Sequence, residues 1–254
     1  MAGLDFASAF DFAGKTVLVT GGAAGIGHAI ATAFAQRGAH LVLADIAAAV
    51  EQVAGALPGG PHLGLVADIT AASEAERAVA ACVDRFGRLD VLVNNAGIVL
   101  LEPAAQTSDA AWDRTMAVNL KAPFLMARAA FPALARAGAG RIVNMASQAS
   151  FVALDRHLAY CTSKAGIVGM TKVLAAEWAA HGITVNAISP TVVETELGRK
   201  AWAGEVGEAM KRKIPAGRFA QPEEIALAAL FLASGGAAMI TGENLVVDGG
   251  YTIQ

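Results

Sequence analysis

The sequence predicts a doubly wound α/β fold, a parallel sheet covered by helices on both faces. Three observations predict it. Short β-branched runs alternate along the chain with longer helical patterns. The short runs are mostly apolar throughout, as strands buried on both faces are. A glycine cluster directly follows the first run and opens a helical pattern, the strand–turn–helix order from which right-handed crossovers build such a sheet.

The elements follow in order. Residues 16–20 (Thr-Val-Leu-Val-Thr) form a first strand, then glycines lead into a helix over 26–37. Strands follow at 40–44 and 63–66, then an alanine-rich helix at 72–86 and a fourth strand at 91–93. A helical stretch at 122–137 precedes a fifth strand at 141–145. A long helix holds 160–181, and strands at 183–188 and 244–247 bring the sheet to seven. The turn cluster at 57–61 is too short and too early to be a linker, so residues 1–254 read as one domain. Residues 192–215 carry many charges with glycines between them and read as a mobile helical loop, expected to be a lid at the ligand end of the sheet.

Composition narrows the class. The chain has 254 residues, 55% of them hydrophobic and 16% charged, which excludes a disordered polyampholyte. A net charge of −3 offers no global basic field, so nucleic acid is not an expected partner. Cys82 and Cys161, the two cysteines, make no disulfide framework or zinc motif and read as reduced thiols. The charge-free runs at 16–36 and 225–242 are broken by glycines and polar residues, so no membrane span is expected. An N-terminus with Asp5 and Asp11 and no early base lacks a secretory n-region. A cytoplasmic protein is expected.

Two constellations carry chemistry. In Thr20-Gly21-Gly22-Ala23-Ala24-Gly25-Ile26-Gly27, glycines allow a tight turn and close approach of a pyrophosphate to a helix N-terminus. Asp45 ends the second strand 20 residues after Gly25, the spacing of a ribose-binding acid. Tyr160 and Lys164 stand four apart on one helical face. A nearby ammonium favours the phenolate and makes the tyrosine a usable base toward a carbinol. Singly, a tyrosine most often packs and a lysine most often faces water. Together, after a nucleotide turn, they point to catalysis. Cys161 has no histidine pairing in the sequence and reads as a small buried residue.

With Asn94-Asn95-Ala96-Gly97 and the Gly-x-x-x-Gly-x-Gly spacing of the turn, the chain resembles the short-chain dehydrogenase/reductase family over residues 11–254, a Rossmann fold. The resemblance implies a catalytic tetrad of Asn119, Ser147, Tyr160 and Lys164. Ser147 would hydrogen-bond the reacting oxygen, and Asn119 would hold a water against the lysine. It implies a nicotinamide cofactor on Gly21, Gly25, Ile26, Gly27, Asp45, Asp68, Ile69, Asn94, Ala96, Gly97, Tyr160, Lys164, Pro190, Val193 and Thr195. Asp68-Ile69 would meet the adenine, and Pro190 and Thr195 the carboxamide. Thr191 departs from the family glycine and bears on the local backbone shape. Asp248-Gly249-Gly250 would pack between subunits. The cofactor expected is NAD, since Asp45 repels a 2′-phosphate and no base occupies positions 23, 24, 46 or 47.

Ser189-Pro190-Thr191-Val192-Val193, Ser147-Gln148-Ala149-Ser150 and His157 resemble L-xylulose reductases and related carbonyl reductases. The tail 195–254 resembles NAD-linked sugar-alcohol dehydrogenases, including those acting on D-threitol. This branch implies a small polyol or ketose substrate in a pocket of Ser147, Gln148, His157, Tyr160 and Trp202. It also implies a homotetramer built on the helical stretches 122–137 and 160–180 and on the apolar tail, with a divalent ion near Gln254 in some relatives. The alternatives are a 3-oxoacyl-carrier-protein reductase and a non-catalytic dinucleotide-binding regulator.

Overall fold

The computed structural model describes residues 9–253, with Leu197 described by its backbone alone. The strands are β1 (Thr16–Thr20), β2 (His40–Asp45), β3 (Leu63–Val66), β4 (Val91–Asn94), β5 (Arg141–Met145), β6 (Thr184–Pro190) and β7 (Asn244–Val247). They form one sheet in the order β3-β2-β1-β4-β5-β6-β7, every neighbouring pair parallel. Around it lie α1 (Gly25–Ala35), α2 (Val50–Ala56), α3 (Ala72–Phe86), α4 (Asp109–Met116), α5 (Ala122–Ala137), α6 (Leu158–Trp178), α7 (Glu196–Ala201), α8 (Glu205–Lys211) and α9 (Pro222–Ala233).

The alternation of strand side chains splits the core into two layers. Val17, Val19, Leu41 and Leu43 pack with Phe34 of α1 and Ile225 of α9 on one face. Leu18, Val42, Leu92 and Ile142 pack with Val79 of α3 and Met126 of α5 on the other. A strand sandwiched between two helical layers must be apolar at every position, which is why these runs lack alternation.

The structure adds α2, α4 and α9 to the helices expected from sequence. Helix α2 joins β2 to β3, where the alanine-rich stretch gave little periodicity; only Val50 and Ala54 of it are buried. Strand β6 runs on to Pro190, whose missing N–H is tolerated at a strand end, and the Thr191 amide donates to the Val247 carbonyl at 3.2 Å. Residues 192–215, expected to be a helical loop, hold α7 and α8. Met210 and Ile214 join Phe219 there in a small core of their own.

A buried polar chain ties the central strands to α6. Asn94 Nδ2 donates to Asn144 Oδ1 at 2.8 Å, and Asn144 Nδ2 donates to Thr171 Oγ1 at 3.0 Å. Among the described residues no helix is long and apolar enough to cross a membrane.

Candidate active site

The order of strands reverses at β1 and β4. Their connections leave in opposite directions, so a crevice opens beyond their C-terminal ends. Thr20 closes β1 there. Its hydroxyl donates to the Val93 carbonyl at 3.4 Å and accepts from the amides of Asn95 and Ala96 at 3.0 and 3.1 Å. The Asn95 side-chain amide donates back to the carbonyls of Thr20 and Gly21 at 3.0 and 3.1 Å. The glycine turn is thereby clamped to the end of β4. Gly21 takes a φ of +65°, and a Cβ on Gly27 would lie 2.1 Å from the Gly21 carbonyl oxygen. Only glycine fits at either position. No side chain caps α1 and no acid occupies its first turn, so its N-terminal amides and positive dipole end face an incoming anion.

A cleft of about 900 Å³ extends from this turn. Of the residues expected to meet the cofactor, Gly21, Gly25, Ile26, Asp45, Asp68, Ile69, Ala96, Gly97 and Thr195 line it. Asp45 accepts from the amides of Ala23 and Ala47 at 3.1 and 3.0 Å, which ties the end of β2 to the glycine turn. The Thr70 hydroxyl and amide bind Asp68 and hold its carboxyl below the usual range. These residues fit a dinucleotide: a cradle that a Cβ would fill, an uncapped helix N-terminus, and an acid at the end of the second strand.

Beside the cleft, β5 and α6 bring Ser147, Tyr160 and Lys164 together. Ser147 Oγ accepts from the Ala149 amide at 3.2 Å and stands close enough to the Tyr160 phenol to act on its ionisation. Burial pushes the Tyr160 phenol up, and Ser147 opposes that shift. Lys164 is 4% exposed, and its Nζ donates to the Met145 carbonyl at 2.7 Å and lies 5.7 Å from the Tyr160 ring centre. Burial lowers its pKa to about 8. Asn119 stands in a π-helical turn, Ala117–Lys121, between α4 and α5. Its side chain exchanges two 2.8 Å hydrogen bonds with the backbone of Ile98 and donates to Ser163 Oγ at 3.2 Å. A Cβ on Gly97 would come within 3.4 Å of Asn119 Oδ1 and 3.5 Å of Lys164 Nζ, so the bare glycine keeps space between them.

Other expected residues are placed differently. Asn94, grouped with the cofactor residues but expected mainly to tie strands together, turns its side chain to Asn144 of β5 and the Pro123 carbonyl on the α5 side of the sheet. Its neighbour Asn95 lines the cleft, because successive residues leave the sheet on opposite faces. Pro190 pairs with Val247 and Val193 bridges to Ala220, and neither lines the cleft. Thr191 does not take a left-handed backbone: Arg156 is the one non-glycine with positive φ among the described residues. Gln148 is 3% exposed with Oε1 unpartnered, and the His157 ring meets Tyr160 edge-on with centres 6.0 Å apart. Trp202 packs edge-on to Phe219, at 6.2 Å, in the small core of the 192–215 segment. Gln254 lies outside the described residues, and those described contain no group of three or more potential metal ligands. Thr20 and Asn95 were not singled out from sequence; their signal was their position at the ends of the two strands that flank the reversal. Arg114 and Lys200, also on the cleft wall, gave no sequence signal.

Residues 21–252 match the family model described as enoyl-(acyl carrier protein) reductase. The chain is 54% identical over 245 residues to a protein named NAD-dependent glycerol dehydrogenase from Listeria innocua, covering 96% of each. It is also 54% identical over 250 residues to D-threitol dehydrogenase from Mycolicibacterium smegmatis, again covering 96% of each. A solved structure of a candidate NAD(P)-dependent gluconate 5-dehydrogenase from Beutenbergia cavernae, with NADP at low occupancy, superposes with a TM-score of 0.91 at 38% identity, covering 97% of this chain and 100% of that one. The chain belongs to the short-chain dehydrogenase/reductase family. It is an oxidoreductase of that family.

The glycine cradle of this short-chain dehydrogenase gives a direct test. Gly27→Ala should weaken NADH binding at least tenfold, because the added methyl must displace the Gly21 carbonyl or the Asn95 amide. Fluorescence titration of NADH measures it. Binding within twofold of the parent would contradict the role of the close approach.

Proposed function

We propose that this short-chain dehydrogenase oxidises the secondary hydroxyl of a small, uncharged polyol to a ketose with NAD, D-threitol to D-erythrulose being the leading pair. The cluster of Ser147, Tyr160 and Lys164 beside the dinucleotide cleft carries the reading. The two relatives at 54% identity, named for glycerol and D-threitol, support the polyol class. Asp45 on the cleft wall favours NAD, since its carboxylate accepts from a ribose hydroxyl and repels a phosphate there.

The chemistry follows from the residues. The bound nicotinamide supplies the hydride acceptor. Ser147 holds the carbinol oxygen, and Tyr160 takes its proton. The buried Lys164 ammonium lowers the cost of the phenolate, while Met145 holds that ammonium in place. Asn119 fixes the Gly97–Ile98 backbone at the lysine end, where the absent Cβ of Gly97 leaves room for a relaying water. Gln148 and His157 meet the neighbouring hydroxyls of the substrate, the unpartnered Gln148 oxygen being ready to accept. Residues 192–215 act as the lid over one domain, with Trp202 anchoring the lid's own core.

Steady-state kcat/KM with NAD should be highest on D-threitol or another short polyol and poor on simple secondary alcohols. Tyr160→Phe should lower it at least a thousandfold with NADH binding nearly intact. A preference for acetoacetyl thioester with NADH would favour the 3-oxoacyl-carrier-protein reductase reading, and no turnover of any substrate would favour a regulator.

The pH profile tests the dyad. Burial raises the Tyr160 phenol and lowers Lys164 to about 8, and the neighbouring ammonium favours the phenolate. Oxidation needs the phenolate, so kcat/KM should rise with pH and level off once Tyr160 is deprotonated. Reduction should fall over the same range. Lys164→Met should move the oxidation limb upward, because the phenol then titrates without its cation. A profile flat from pH 6 to 10 would exclude this base.

We also propose a cytoplasmic homotetramer. Phe124, Leu158 and Val173 leave exposed apolar surface on α5 and α6, and Leu227, Met239, Val246 and Ile253 do so around α9 and β7. Light scattering at micromolar concentration should return four chains. A monomer would contradict it.

A further inference from the structure

A second cavity lies at the opposite end of the sheet, where the strands begin. It has a volume of about 150 Å³ and is walled by Phe12, Lys15, Asp90, Arg141 and Ser234, among others. Arg141 opens β5 and is 8% exposed. A guanidinium presents several N–H donors in a fixed fork and cannot shed its proton in a protein. Nη1 of Arg141 donates to the Gly140 carbonyl at 2.9 Å, but Nε is buried without a partner. Among the described residues no carboxylate pairs with this guanidinium.

The acids on the cavity wall are already engaged. Asp90 accepts from the Thr16 amide at 3.0 Å, from Arg88 at 2.7 and 2.6 Å, and from Lys15 at 3.3 Å. Asp11 accepts from the Ala13 amide at 2.9 Å. Asp90 thus answers two other cations before Arg141. A water accepting a hydrogen bond from Nε–H would not balance the charge. Burial, the one perturbation on Arg141, disfavours its charged form, as expected of a cation lacking a counter-ion.

We propose that this cavity binds a small inorganic oxyanion of the phosphate or sulfate type, held chiefly by the Arg141 guanidinium, with the Lys15 ammonium, already paired with Asp90, assisting from the same lining. The site is separate from the dinucleotide cleft, which lies beyond the other ends of the strands. Its effect is on stability: an anion there pairs the buried cation and joins β5 to the segment before β1.

The probe is inorganic phosphate, added to the full-length protein with saturating NADH, so that the pyrophosphate cradle is closed to it. Melting temperature is followed against chloride at matched ionic strength, with phosphate-31 line width as a direct readout. A site with millimolar affinity raises the melting temperature by a few degrees at ten times its dissociation constant, and above that the rise grows with the logarithm of the phosphate concentration. The excess line width should fall by half as phosphate passes its dissociation constant, as the bound fraction of a saturable site does. Both responses should vanish in Arg141→Met and weaken several-fold in Lys15→Met, with NADH affinity unchanged. Should Arg141→Met fail to fold, wild type and Lys15→Met alone decide it. A rise that is linear in phosphate rather than logarithmic, or is equal in the variants, is the general exclusion of phosphate from protein surface and overturns the proposal. No broadening, or an adventitious ion only, lost at millimolar concentration, overturns it as well.

Discussion

The clamp at the end of β1 is the constraint on which the site depends. A parallel sheet that reverses its strand order opens a crevice, but a crevice alone is not a binding surface. Thr20 and Asn95 close five hydrogen bonds across the reversal, fixing the glycine turn relative to β4. Because the Gly21 carbonyl is held, the position opposite it cannot carry a Cβ, and Gly27 follows. Because the turn is held, α1 starts with its amides aimed into the cleft. Asp45 adds a bond to Ala23, so the second strand reports to the same turn.

On the other side of β4 the dominant constraint is electrostatic. The Lys164 ammonium is buried beside a phenol that burial also disfavours as an anion. Each of the two groups is strained toward its neutral form when alone, and each relieves the other when the phenolate forms. The Met145 carbonyl at the end of β5 fixes the ammonium, so the geometry of the base is set by a strand end and one helix face. The Asn94–Asn144–Thr171 chain lies just behind, holding β4, β5 and α6 in register.

The two ends of the sheet manage buried charge differently. At the catalytic end, an uncapped helix faces the cleft and a buried lysine is held beside a phenol. At the starting end, Asp90 is satisfied by Lys15, Arg88 and the Thr16 amide, while Arg141 keeps an unanswered donor. A buried cation with no counter-charge is costly, and that cost separates Arg141 from the exposed ion pairs on the helices.

The sequence by itself determined the sheet, its seven strands and the residue types at the glycine turn and on α6. Continuous apolar runs and a four-residue helical spacing are local signals, and local signals survive in one dimension. Helix α2 and the ends of β6 and α6 were less legible, because alanine has little hydrophobic contrast and a proline at a strand end is decided by its neighbour strand. Only the tertiary structure decided which asparagine faces the cleft. Asn94 and Asn95 are identical in chemistry, and a single residue's step along the strand sends one into the α5–α6 layer and the other onto the glycine turn. It also decided that Trp202 packs on Phe219 and that Arg141 is buried without an acid. Those facts depend on what residues far apart in the chain place around a side chain, and no local pattern encodes that.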